Sequence, residues 1–177
     1  MHNNVDKLLE TADDFGLCNE LFTRILKHHG EDFDVSKCNE HEQVVLLVWQ
    51  ACGVIDNGGF QYLLECNFKG DPFFAKTAAA FQTIKATKCA EAMAEALSVF
   101  PNSKPPADIK ARLKIYQSPT APKPWKALRE FFGKRRGKIF AKYMSDIDVK
   151  FFSESKDIGT ILAKYIREHR ESFRHLK

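Results

Sequence analysis

The sequence predicts an all-α fold, a compact single-domain array of about seven to nine helices. Three observations carry this. Apolar residues recur at i, i+3, i+4 and i+7 in segment after segment, the spacing that lines one face of a helix. The boundaries between segments hold caps and breakers, among them Asn39, Asp71-Pro72, Pro101 and Pro105-Pro106. The most apolar run, Val44 to Trp49, sits in a stretch from Asn39 to Gly53 that is long for a strand and ordinary for a helix, although its β-branched residues would suit a strand. A chain of 177 residues, 44% hydrophobic and with 15 phenylalanines, can bury one such core.

Val5, Leu8, Leu9, Ala12 and Phe15 form the first helical stripe, which Gly16 interrupts. Leu17, Leu21, Phe22, Ile25 and Leu26 form the second, stopped by Gly30, with His28-His29 suited to the negative end of its dipole. After a polar connection from Glu31 to Lys37, Asn39 and Glu42 read as a capping box that opens the central buried helix. Phe60 to Cys66 reads as the next helix, and Asp71-Pro72 as an N-cap with a first-turn proline for the helix through Phe74, Ala78 and Phe81. Ala86, Ala90, Met93, Ala94 and Leu97 mark a further helix ended by Pro101, and Ile109, Leu113 and Tyr116 one that starts after Pro105-Pro106. Pro119, Pro122 and Pro124 make an extended connection. The last helix carries Ile158, Ile161, Leu162, Tyr165, Ile166, His169 and Phe173 on one stripe, with Ser155 as its cap.

Between the central helix and its successor lies Asp56-Asn57-Gly58-Gly59-Phe60-Gln61-Tyr62. Two adjacent glycines between apolar segments mark a sharp turn or a close backbone approach, and Asn57 is placed to cap the incoming helix. If the chain has a small-molecule pocket, it belongs here, where Asp56, Asn57 and Gln61 supply polar groups beside Trp49. Gly58, Gly59 and Phe60 complete this candidate binding set.

The Asn57-Gly58-Gly59-Phe60-Gln61 block, with Asn67, Gly70, Phe100-Pro101, Ile147-Asp148 and Phe151-Phe152 in that order, resembles a family of bacterial all-helical domains. That family is of largely unknown function and includes a DNA-mimic protein. The resemblance covers roughly residues 36–173, and about 118–137 stands as a Pro-rich, basic insertion within it. It implies an all-α fold and a role in binding another protein. The family member with a known role is strongly acidic, and this chain is not.

Charge is divided along the chain. Residues 1–65 hold 12 acidic and 4 basic side chains, net −8, and residues 66–177 hold 11 and 23, net +12. The two parts either face each other or meet partners. Lys123 to Lys142 contains eight Lys/Arg, including Lys134, Arg135 and Arg136, against the single acid Glu130, with Trp125, Phe131 and Phe132 interleaved. Gly133 and Gly137 argue against a continuous reading helix there. No run of about 18 uncharged apolar residues suggests a membrane span, and an N-terminus bearing Asp6, Glu10 and Asp13-Asp14 does not read as a signal peptide, so a cytoplasmic protein is expected. Five singly spaced cysteines in apolar segments fit reduced, buried thiols.

No metal or cofactor is expected. Cys38-x2-His41 with Cys52 and Cys66 lacks the second close-spaced pair of a structural zinc site, and His41-Glu42 lacks the histidine of a zinc-protease helix. The glycine pair matches neither a Walker nor a Rossmann pattern. Two function classes lead. One is a non-catalytic protein-interaction module, with Asp13, Asp14, Glu20, Glu31, Asp32 and Asp34 as stand-ins for a phosphate backbone. The other is a binder of nucleic acid or an anionic surface through 123–142. An enzyme with a pocket beside Asn57 is third.

Overall fold

The computed structural model describes residues 5–30, 34–116 and 136–176, and of 136–139 the backbone alone. Among the described residues there are eight α-helices and no strand. They are α1 (Val5–Thr11), α2 (Asp14–His29), α3 (Glu40–Glu65), α4 (Ala75–Thr83), α5 (Thr87–Leu97), α6 (Ile109–Tyr116), α7 (Arg136–Ser155) and α8 (Ile158–Glu168), with short 3-10 turns at Val35–Lys37, Pro101–Ser103 and Arg170–Phe173. The all-α expectation holds.

α3 is the axis of the array. Its run Val44 to Val48 is buried on every side, and it packs against α2, α4, α6, α7 and α8. Both halves of its capping box form: Asn39 accepts from the His41 and Glu42 N–H groups, and Glu42 accepts from the Asn39 N–H. The helix passes Gly53 and bends at Gly58–Gly59. α7 supplies the stripe Met144, Ile147, Phe151 to the core, where Phe151 meets Phe60 and Phe81 edge to face at 5.5 and 5.6 Å.

Several boundaries differ from the sequence reading. The first two helices part at Asp13, whose carboxylate caps α2 by accepting from the Gly16 N–H, so Gly16 lies inside α2. Phe15 therefore belongs to α2 and is 67% exposed instead of closing the first stripe. Asp71 does cap α4, accepting from the Lys76 and Thr77 N–H groups, but α4 starts at Ala75 and Pro72 precedes its first turn. Ser155 ends α7 and does not cap α8, which follows Asp157 without a side-chain cap. Gly137 does not break the chain direction, because α7 begins at Arg136 and runs through it. The expected proline connection and most of the insertion at 118–137 lie outside the described residues.

Long-range caps close the array. The α7 carboxylates Asp148 and Glu154 accept from the Phe60 and Cys89 N–H groups, each at 2.9 Å, at the starts of the second half of α3 and of α5. From α6, Arg112 is fully buried and spends all five N–H donors on carbonyls of Leu64, Cys66, Pro72, Pro106 and Ala107, with its guanidinium 4.8 Å from the Phe74 ring centroid. One side chain thereby ties the C-terminal end of α3 to the approach segments of α4 and α6.

Candidate protein-binding cleft

At the N-terminal end of α2 a cleft of about 390 Å³ opens between α2, α3 and the α7–α8 junction. Phe15 and Trp49 form its aromatic wall, ring centroids 5.3 Å apart, and Cys52, Gly53, Asp56, Ser155, Ile158 and Gly159 complete it, with Asp14, Lys156 and Thr160 at the edges. Helical periodicity places Trp49, Cys52, Gly53 and Asp56 on one face of α3. The Ser155 hydroxyl donates to Asp56 Oδ1 at 3.3 Å. Partial burial pushes the Asp56 carboxyl above the usual carboxylate range, and the Ser155 hydrogen bond opposes that shift. Among the described residues no cation pairs with Asp56. Asp14, by contrast, is held below its ordinary value by hydrogen bonds from Arg167, at 2.6 Å, and Thr160.

Of the candidate pocket residues named from sequence around the glycine pair, Trp49 and Asp56 line this cleft, and Asn57, Gly58, Gly59, Phe60 and Gln61 do not. Asn57 turns back along α3 and donates to the Gly53 carbonyl, so it is not the cap of the following half-helix. Asp148 takes that role from 88 residues away. Gly59 has φ +68°, and a Cβ there would fall 2.5 Å from the Asp148 carboxylate. Gly58 is extended, with φ −169°, and a Cβ there would meet the Tyr62 ring. Phe60 is buried against Phe151, and Gln61, exposed, donates to Glu65. The glycine pair, Phe60, Asp148 and Phe151 thus form one structural joint.

That joint brings together three of the blocks that carry the family resemblance, Asn57–Phe60, Ile147-Asp148 and Phe151-Phe152. A family model described as DMP19-like protein matches residues 36–169, well over half of the chain. The chain belongs to the DMP19-like family. No curated protein and no solved structure matched it. The DMP19-like region contains the whole joint and the α3, α7 and α8 walls of the cleft, whereas Asp14 and Phe15 precede it. The cleft of this DMP19-like protein is therefore completed by residues outside the family match.

The acidic N-terminal third partly meets the basic C-terminal part. Asp6 pairs with Arg170 and Arg174, and Arg167 holds Asp14 while donating to the Leu9 and Ala12 carbonyls that end α1. Of the six expected phosphate stand-ins, Asp13 and Asp34 cap turns, Asp14 pairs with Arg167 and Glu20 with Arg24, and Glu31 and Asp32 lie outside the described residues. Lys134 and Arg135 also lie outside them, and Arg136 opens α7. No helix among the described residues is long and apolar enough to cross a membrane.

The thiols of Cys18, Cys52 and Cys89 are buried, that of Cys66 is partly exposed, and burial is the first cause raising each of their pKa values, that of Cys18 to about 12. Cys38 is raised by the same cause to about 11. Each unit of elevation cuts the thiolate fraction tenfold, so at neutral pH the folded chain is expected to react with a thiol reagent at least about tenfold more slowly than the urea-unfolded chain, Cys66 first. Stopped-flow labelling checks this, and equal rates would contradict it. His41, whose spacing from Cys38 does not by itself make a zinc pattern, stacks on His169 at 4.2 Å and contacts the Tyr165 hydroxyl at 2.7 Å.

Proposed function

We propose that this chain is a non-catalytic protein-interaction module whose docking surface is the Phe15–Trp49–Asp56 cleft. The observation that carries the reading is Asp56, a carboxylate whose partner is a hydroxyl and which stands beside two aromatic rings. Ring faces attract cations through their quadrupoles, and a partly shielded carboxylate makes charge-assisted hydrogen bonds to guanidinium or ammonium groups. The occupant that this chemistry supports is an arginine or lysine side chain of a basic protein. A basic partner also agrees with membership of a family that includes a DNA mimic, since the target of such a mimic is a protein that binds nucleic acid. Lys156 and the Arg167–Asp14 pair at the edge leave little net charge, so recognition rests on the pocket and not on a broad acidic field. Among the described residues no histidine lines the cleft, and burial raises the pKa of the Cys52 thiol in its wall, which favours binding over nucleophilic chemistry.

The test compares binding of a labelled arginine-rich peptide and of duplex and single-stranded DNA by fluorescence anisotropy across a salt series. Asp56→Asn is expected to weaken peptide binding at least about tenfold, the scale of one hydrogen bond to a charged group. Neutralising Lys134, Arg135 and Arg136 together is expected to leave it unchanged. Tight, salt-steep DNA binding that the triple change abolishes would instead assign the function to the basic segment.

A further inference from the structure

At the opposite end of α2 a second group of side chains converges. A ring nitrogen of His29, Cys38 Sγ and a Glu42 carboxylate oxygen all lie within 4.8 Å of one another. His29 ends α2, Cys38 follows the 3-10 turn and Glu42 lies in the first turn of α3. Glu42 is 1% exposed and Cys38 is buried. His29 Nε2 stands 3.1 Å from Glu42 Oε2, and His175 Nε2 stands 2.9 Å from Glu42 Oε1. The His28 ring packs edge-on against those of His29 and His175.

Capping explains only part of this arrangement. The Asn39 N–H occupies one edge of the Glu42 carboxylate, which is all that a capping box requires. Two imidazoles and a thiol around the same buried anion exceed that need, and a buried anion is costly unless it is paired or coordinates a cation. The residues come from three separate stretches of chain, so no short spacing announces them.

We propose that His29, Cys38 and Glu42 bind a divalent cation of the zinc class, with His175 as the positioning residue that holds the carboxylate. Imidazole nitrogen, thiolate sulfur and carboxylate oxygen are the donors zinc takes, and three protein ligands leave one position for water. Thiol and imidazole disfavour calcium and magnesium, which take oxygen. Bonds of about 2.0–2.3 Å place tetrahedral ligand atoms roughly 3.3–3.8 Å apart, so the present spacing is within about an ångström of closure. On binding, Cys38 Sγ releases its proton to solvent and bonds the metal in its place. Half-exposed His175 leaves an entry path. Of the four residues whose spacing spoke against zinc, only Cys38 belongs to this set. The site lies about 22 Å along α2 from Asp14, separate from the cleft.

The experiment titrates the chelator-treated full chain with Zn²⁺ and Co²⁺. One equivalent should bind, with Co²⁺ giving a near-ultraviolet thiolate-to-cobalt charge-transfer band that Cys38→Ser removes. His29→Ala should weaken zinc binding at least about tenfold, and His175→Ala by about 10–100-fold while keeping the cobalt band. If circular dichroism shows Cys38→Ser unfolded, His29→Ala decides. Absence of uptake by the folded chain, a cobalt complex without the thiolate band, or uptake unchanged in His29→Ala would each overturn the proposal.

Discussion

Arg112→Met is expected to destabilise the chain by about 3–5 kcal/mol, the scale on which a buried, hydrogen-bonded charged group is lost. Methionine fills much of the volume, but the five carbonyls of Leu64, Cys66, Pro72, Pro106 and Ala107 keep their need for a donor. This separates Arg112 from a buried ion pair, where apolar replacement removes both partners together. Arg112→Lys should recover only part of the loss, since an ammonium offers three donors and cannot fork between acceptors on different segments. Urea denaturation of the three proteins measures it. A loss under about 1 kcal/mol for the methionine variant would show that water replaces the guanidinium.

Gly59→Ala is expected to cost about 2–4 kcal/mol, combining the strain of a positive φ with displacement of a helix cap. The added methyl would occupy the place of the Asp148 carboxylate and free the Phe60 N–H. Gly59→Val should cost more, because branching at Cβ crowds a backbone already strained. Gly58→Ala should cost less than Gly59→Ala, as its backbone is extended and carries no positive-φ strain, although the added methyl meets the near edge of the half-exposed Tyr62 ring, which must change rotamer to make room. In an Asp148→Ala background the cost of Gly59→Ala should fall to the backbone strain of about 1–2 kcal/mol, since the clash is already removed. Additive losses across this cycle would show that glycine and aspartate act independently.

Signals whose partners lie within one helical turn were legible in the sequence. The Asn39–Glu42 box and the Gly30 stop formed as read, because three or four residues of spacing determine who meets whom. Caps supplied from afar were not legible. Asp148, Glu154 and Arg112 each serve a helix start or end 46 to 88 residues away, and local reading gave the joint to Asn57 and the last helix to Ser155. Arg112 did carry a faint signal, a basic residue three positions after Ile109 on an otherwise apolar stripe. Two of the eleven cleft residues, Trp49 and Asp56, were named as a pocket, from their place before the glycine pair, and their seven-residue spacing puts them on one face of α3. Phe15 was missed because the i+3 spacing from Ala12 continues numerically across the Asp13 break, although the helix does not.

The most direct measurement is amide chemical-shift mapping of the full chain during titration with the arginine-rich peptide. Saturable shifts centred on Phe15, Trp49, Gly53, Asp56 and Gly159, lost in Asp56→Asn, are the predicted result. Shifts centred instead on residues 123–142, or none at the cleft while the peptide binds, would contradict the assignment of this surface.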